Sequence, residues 1–166
     1  MVELRPTRIL LVEDDIELRR LYRTALLLEG FAVEEAGDGV SALQMIEDEA
    51  PDLIVLDIGL PTLSGVSVQQ ELATDAQTQS IPILVVTGSH VAVDLPDECV
   101  LRKPVSPERF VEEVRRCLHA THARERQVGR VLERKARQKS RASDSTRRTA
   151  AAARRKRARR RKPAGR

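Results

Sequence analysis

Residues 53–65 read LIVLDIGLPTLSG. Four apolar residues, Leu53 to Leu56, run without interruption into Asp57, and the chain then breaks at Gly59, Pro61 and Gly65. An unbroken apolar run containing Ile and Val reads as a strand buried on both faces, as in a parallel sheet. A carboxylate at the C-terminal end of such a strand sits where open α/β sheets keep their chemistry. By itself the same Asp also suits a plain turn that ends a strand, so the rest of the chain must decide between the two.

The same grammar repeats along the chain. RILLVED at 8–14 is a second buried strand ending in acid. Asp15 can cap the helix that follows, with an apolar stripe of Ile16, Leu18, Leu21, Tyr22, Ala25, Leu26 and Leu28 and a stop at Gly30. FAVEEA at 31–36 is a strand, Asp38-Gly39 a turn signal, and residues 40–50 a helix with Leu43 and Ile46 inward, stopped by Pro51. After Asp57 a helix begins near Ser64–Val66 and runs to about Thr74. IPILVV at 81–86 is a strand leading to Thr87, and residues 99–102 form a short last strand before Lys103-Pro104. Ser106 then caps a helix with Pro107 at its first position and Glu108 in its first turn, and a core stripe of Phe110, Val111, Val114, Cys117 and Leu118. Strand and helix thus alternate five times. That pattern predicts an α/β fold, a doubly wound five-stranded parallel sheet with helices on both faces.

Composition supports one domain plus an extension in 166 residues. Hydrophobic residues make up 41% and charged residues 33%, with no Trp, one Tyr and two Phe, so the core must be aliphatic. Charge is unevenly divided. Residues 1–123 hold 10 Lys+Arg against 22 Asp+Glu, a net of −12. Residues 124–166 hold 19 against 3, a net of +16. The division places an acidic domain at 1–119 and a basic low-complexity tail at 120–166. The tail ends in RRKRARRRKPAGR, and Val128, Val131 and Leu132 are its sizeable apolar residues, too few for a core. Residues 118–139 have a composition that can prolong the last helix, and disorder is expected beyond Ser140. No apolar run reaches 18 residues and no signal peptide is evident, so a cytoplasmic protein without membrane insertion is expected. Cys99 and Cys117 read as reduced core thiols, neither a metal site nor a disulfide framework. His119 and His122 lack a third ligand for a metal, and His90 reads as a polar loop residue.

The alternating topology gathers the acidic ends of the first and third strands, Thr87 and Lys103 on one edge of the sheet. Crowded carboxylates repel unless a cation joins them. A hard divalent ion with oxygen ligands meets that need, and Mg²⁺ is usual where phosphate takes part. With Asp57 as nucleophile the site could form an acyl phosphate, Lys103 and Thr87 answering the charge on the phosphoryl oxygens. Each residue alone has a bland reading: Lys103 as a solvated charge, Thr87 as a strand terminator. Their joint spacing favours chemistry.

VEDD at 12–15, LIVLDIGLPTLSG at 53–65, ILVVTG at 83–88 and KP at 103–104 together resemble the receiver domain of two-component response regulators, over about residues 7–119. The resemblance implies a phosphorelay regulator rather than an enzyme. Asp57 would be the phosphoacceptor, and Mg²⁺ would be held by Glu13, Asp14, Asp57 and the backbone carbonyl of Gly59, with Asp14 the more direct ligand of the acidic pair. Thr87 would turn toward the phosphoryl group on activation and Lys103 would bind it. The implied partner is a sensor histidine kinase or phosphotransfer protein, with a homodimer left open. Two departures stand out. Thr87 and Lys103 are closer in sequence than the family's pattern has them, which predicts a shortened or missing helix in SHVAVDLPDECV. Val100 occupies the place of the family's switch aromatic. The basic residues of 124–166 offer an electrostatic contact to nucleic acid or another polyanion, without aromatics for base stacking. The acidic domain itself is the competing partner. Two other functional classes remain: a non-signalling nucleic-acid-associated protein on a degenerate receiver fold, and a metal-dependent phosphoryl-transfer enzyme.

Overall fold

A computed structural model describes residues 5–88 and 99–121, together with 123, 129 and 130. Five strands form one parallel sheet in the order β2-β1-β3-β4-β5: β1 Arg8–Val12, β2 Ala32–Ala36, β3 Leu53–Leu56, β4 Ile83–Thr87 and β5 Val100–Arg102. Between them lie α1 Ile16–Leu28, α2 Gly39–Asp48 and α3 Gly65–Thr74, and a fourth helix, α4, covers 107–121. Parallel pairing follows from sequence: every described strand-to-strand connection long enough to characterise carries a helix, and such crossovers return the chain in the same direction.

The apolar runs alternate between the two faces, as strand geometry requires. Ile9, Leu11, Leu53, Val55, Leu84, Val86 and Leu101 pack on one face beneath α1 and α4. Leu10, Val12, Ile54 and Leu56 pack on the other beneath Ala42 and Ile46 of α2 and Val68 and Leu72 of α3. The sheet is therefore doubly wound. Tyr22 and Phe110 stack between α1 and α4 with ring centroids 4.2 Å apart. The expected stripe of α4, Phe110 to Leu118, is buried throughout.

The apolar stripe expected of α1 is only partly buried. Tyr22 and Leu26 are buried and Leu18 and Ala25 pack against the core, but Ile16 (55%), Leu21 (46%) and Leu28 (83%) are exposed. At ~100° per residue these three point about a quarter-turn or more away from the line of 18, 22, 25 and 26. One apolar face suffices over a sheet, and α1 carries more apolar residues than that face can take. Asp38 is also more than a turn signal. Its side chain accepts from the Ser41 N–H at 2.9 Å and caps α2, which begins at Gly39. Asp15 caps α1 as expected, through the N–H groups of Glu17 and Leu18 at 2.9 and 3.0 Å. Strand β1 ends at Val12 rather than 14, and β5 starts at Val100 rather than 99. The segment 89–98, with His90 and the expected loss of a helix, lies outside the described residues, as does most of the tail. The chain divides into two compact units, Met1–Thr121 and His122–Arg166. In the second, residues 123, 129 and 130 are helical and exposed. Among the described residues no helix is long and apolar enough to cross a membrane.

Gly65 fixes how α3 meets the end of β3. A Cβ there would lie 2.1 Å from the Asp57 carbonyl oxygen and 2.8 Å from the Ile58 Cα, and the Gly65 N–H donates to the Ile58 carbonyl at 3.1 Å. The obstruction is backbone and cannot swing aside. At Gly59 an added Cβ would meet only the Asp57 carboxylate oxygens, at 3.7 and 3.9 Å, which is ordinary contact. Gly65→Ala is therefore expected to cost about 3 kcal/mol or more, and Gly59→Ala less than about 1 kcal/mol. Urea unfolding of the two variants checks this, and equal losses would show that the close approach is not the constraint.

Candidate functional site

The site is built by the register of four strands, β1, β3, β4 and β5. Val12 pairs with Leu56, so the next residues on each chain, Glu13 and Asp57, emerge side by side at the C-terminal edge. The Asp57 N–H donates to the Val12 carbonyl at 3.0 Å, and the Glu13 N–H donates to the Ala36 carbonyl at 3.1 Å, continuing the ladder past the strand ends. On the other side β4 ends at Thr87, paired with Arg102, and the Lys103 N–H donates to the Thr87 carbonyl at 3.1 Å. The sheet thus delivers all five predicted side chains to one edge.

Lys103 lies at the centre. Its Nζ donates to Glu13 Oε2 and to Asp57 Oδ2, each at 2.7 Å. The other oxygen of Asp57, Oδ1, accepts from the Gly59 N–H at 3.0 Å. Thr87, fully buried, is a further hydrogen-bond partner of the Asp57 carboxylate. Glu13 Oε1 accepts a longer bond, 3.4 Å, from the Asp15 N–H. Arg19 of α1 donates to the Glu13 carbonyl at 2.6 Å and fixes the backbone that carries the acidic pair.

The two carboxylates on Lys103 respond differently to their surroundings. Burial raises the pKa of both. For Asp57 the Lys103 bond, the Gly59 N–H, the Lys103 charge and the Thr87 bond together outweigh it, and its carboxyl is held below the usual range. For Glu13 burial wins over Lys103, with the Asp57 charge adding to it, and its carboxyl is pushed up. The difference has a geometric source: Asp57 has three kinds of donor, whereas Glu13 is the more buried of the two and has Lys103 and one long bond. For Lys103 burial works against the ammonium, but Asp57 and Glu13 outweigh it and raise its pKa.

Asp14 is exposed, unlike its two acidic neighbours, yet Glu13, Asp14 and Asp57 each bring a carboxylate oxygen within 4.8 Å of the others. An all-oxygen set of anionic donors fits a hard divalent cation such as Mg²⁺, and Asp14 is its solvent-exposed member. Of Gly59 the geometry establishes the N–H contact to Asp57. Sequence reasoning anticipated Glu13, Asp14, Asp57, Thr87 and Lys103, and the structure brings them together. It missed Arg19, which no spacing distinguishes from Arg20 or Arg23, and it missed the bridge from Lys103 to Glu13, a contact between residues 90 positions apart.

Comparison with known proteins agrees with this geometry. A family model described as response regulator receiver domain matches residues 9–115. The response regulator MprA of Mycobacterium sp. (strain KMS) is 35% identical over 122 residues, covering 70% of this chain and 52% of that protein. The probable transcriptional regulator ycf27 of Cyanophora paradoxa is 34% identical over 126 residues, covering 72% and 52%. This chain therefore spans about half the length of these curated relatives. Among solved structures, the chemotaxis response regulator CheY4 of Vibrio cholerae superposes with a TM-score of 0.60 at 25% identity, over 68% of this chain and 98% of that one. A CheY-like receiver domain protein from Methanospirillum hungatei gives 0.64 at 25% identity, over 72% and 98%. Sheet order, the edge cluster and these matches lead to one conclusion: the chain belongs to the response regulators of two-component signalling, through a receiver domain.

Proposed function

We propose that Asp57 accepts a phosphoryl group from the phosphohistidine of a sensor histidine kinase or phosphotransfer protein, and that the step depends on Mg²⁺. The observation that carries this reading is the Asp57 carboxylate itself, buried, held ionised, and flanked by an ammonium and two further carboxylates. In the transfer an Asp57 oxygen bonds to phosphorus as the phosphorus–nitrogen bond of the donor breaks, and the donor imidazole leaves. The acyl phosphate brings oxyanion charge into a partly dry site. Lys103 answers it with its ammonium and Thr87 with its hydroxyl, and both already contact Asp57. A divalent ion held by Glu13, Asp14, Asp57 and the Gly59 carbonyl supplies further neutralisation of the phosphoryl oxygens when bound. In this role the chain is a regulator, with self-catalysed phosphoryl transfer and hydrolysis as its chemistry, working in the cytoplasm.

Signal leaving the site follows a modified route. The family's coupling of a Thr shift to an aromatic rotamer has no aromatic here, because Val100 stands at that position and pairs with Val85 in the sheet. The output is proposed to involve the tail. Eight of the nine residues at 154–162 are Lys or Arg, and residues 124–166 carry a net +16. Such a segment binds polyanions by releasing counterions, with little regard to sequence. The competing reading, a nucleic-acid-associated protein that no longer signals, draws on the same tail and requires Asp57 to be inert.

Three outcomes test these proposals. Intact mass after incubation with acetyl phosphate and Mg²⁺ should show one added phosphoryl group, lost in Asp57→Asn and on chelation of the metal. A wild-type chain that gains no mass with several donors would sink the phosphoacceptor reading. Calorimetric titration with Mg²⁺ should show Asp14→Ala weakened by about tenfold or more and Glu13→Ala by less, because Lys103 already occupies Glu13. Equal losses would contradict that assignment. In gel shifts with duplex DNA, log K should fall against log salt with a slope of about −0.9 per phosphate neutralised. Binding that ignores salt, or that survives removal of 124–166, would contradict the electrostatic account.

A further inference from the structure

The two cysteines of the chain, Cys99 and Cys117, come from different elements and meet. Cys99 immediately precedes β5, two residues before Leu101. Leu101 lies in the core with Phe110, Val114 and Cys117 of α4, and Cys99 packs against that cluster. The chain turns back after β5, so α4 runs against the strand direction. Its start covers the end of the strand, and a later turn covers the strand's beginning. From Phe110 to Cys117 the helix advances about 10 Å, and from Leu101 back to Cys99 the chain retreats by at most about 7 Å. The two thiols, both free, come within hydrogen-bonding reach of each other.

The geometry points to Cys99 and Cys117 as a redox-active dithiol that closes to an intramolecular disulfide when a hydroperoxide oxidises it. Cys99 is half-buried and Cys117 buried, so Cys99 is the cysteine more open to an oxidant. Cys117 is buried, and burial, with Cys99 beside it, pushes its thiol up to about 12, so it does not initiate the reaction. The Cys99 sulfur attacks the peroxide, the oxygen–oxygen bond breaks, and water leaves with the thiol proton, giving a sulfenic acid. The Cys117 sulfur then attacks the Cys99 sulfur, the sulfur–oxygen bond breaks, and a second water leaves with the Cys117 proton. Two thiols lose two electrons and two protons, and one hydrogen peroxide becomes two waters. Proximity offsets the weak nucleophilicity of Cys117, because its partner is held next to it. The ring so closed, from 99 to 117, contains Lys103.

The test uses the full chain with hydrogen peroxide as oxidant. The sample is then unfolded and its thiols are labelled with a polyethylene-glycol maleimide. Untreated chain should take two labels, and oxidised chain none while remaining a monomer on a non-reducing gel. Intact mass should fall by about 2 Da, and dithiothreitol should restore both labels. Cys99→Ser, altered at the half-buried position, should fold and show no such mass loss, and Cys117→Ser should leave Cys99 to over-oxidise. The proposal is overturned if both thiols still take label after oxidation. It is equally overturned if Cys99 gains oxygen while Cys117 stays free, or if the only disulfide joins two chains.

Discussion

The Lys103 ammonium, 2.7 Å from both Glu13 and Asp57, is the contact on which the site depends. Without it two buried carboxylates would face each other at the edge of a hydrophobic sheet, and removing one partner of a buried ion pair is strongly destabilising. The bridge also spans the fold. It ties the ends of β1 and β3, at the centre of the sheet, to the chain leaving β5 at its margin. Asp57 can be ionised while buried because Lys103, the Gly59 N–H and Thr87 share its charge. Sheet and site therefore support one another: parallel register presents the acids, and the lysine lets them be presented.

That arrangement requires tight positioning behind it. Gly65 lets the first turn of α3 lie against the Asp57 backbone, where any side chain would collide with the Asp57 carbonyl. Arg19 holds the carbonyl of Glu13 from the α1 side. The Tyr22–Phe110 stack joins α1 to α4 beneath the same edge. The reactive groups are thus held by backbone contacts and aromatic packing on rigid elements, while Asp14 alone of the three acids is open to solvent.

Much of this was legible in the sequence because it is local. An apolar run ending in acid specifies strand, burial and edge together, which is how Asp57 and the Glu13-Asp14 pair could be read. Asp15, Ser64 and Ser106 announce helix starts through short-range hydrogen bonds. What escaped is non-local. The exposure of Ile16, Leu21 and Leu28 depends on which face of α1 the sheet selects, and their hydrophobicity does not say. The approach of Gly65 to Asp57 and the meeting of Cys99 with Cys117 arise from chain reversal over the sheet. A spacing rule reports neither. The family resemblance extends over the receiver and stops before the basic tail, where charge is the physical argument the sequence offers.

An inert carboxylate and a reactive one differ in the bond that forms at Asp57, so the most direct measurement looks at that bond. The chain is incubated with acetyl phosphate and Mg²⁺, treated with sodium borohydride, and digested for peptide mass analysis. Borohydride reduces an acyl phosphate to the alcohol, which converts the modified aspartate to homoserine. The account predicts conversion at residue 57 and at neither Asp14 nor Asp15. Conversion at another carboxylate, or phosphate carried on a histidine or serine with residue 57 unchanged, would contradict it.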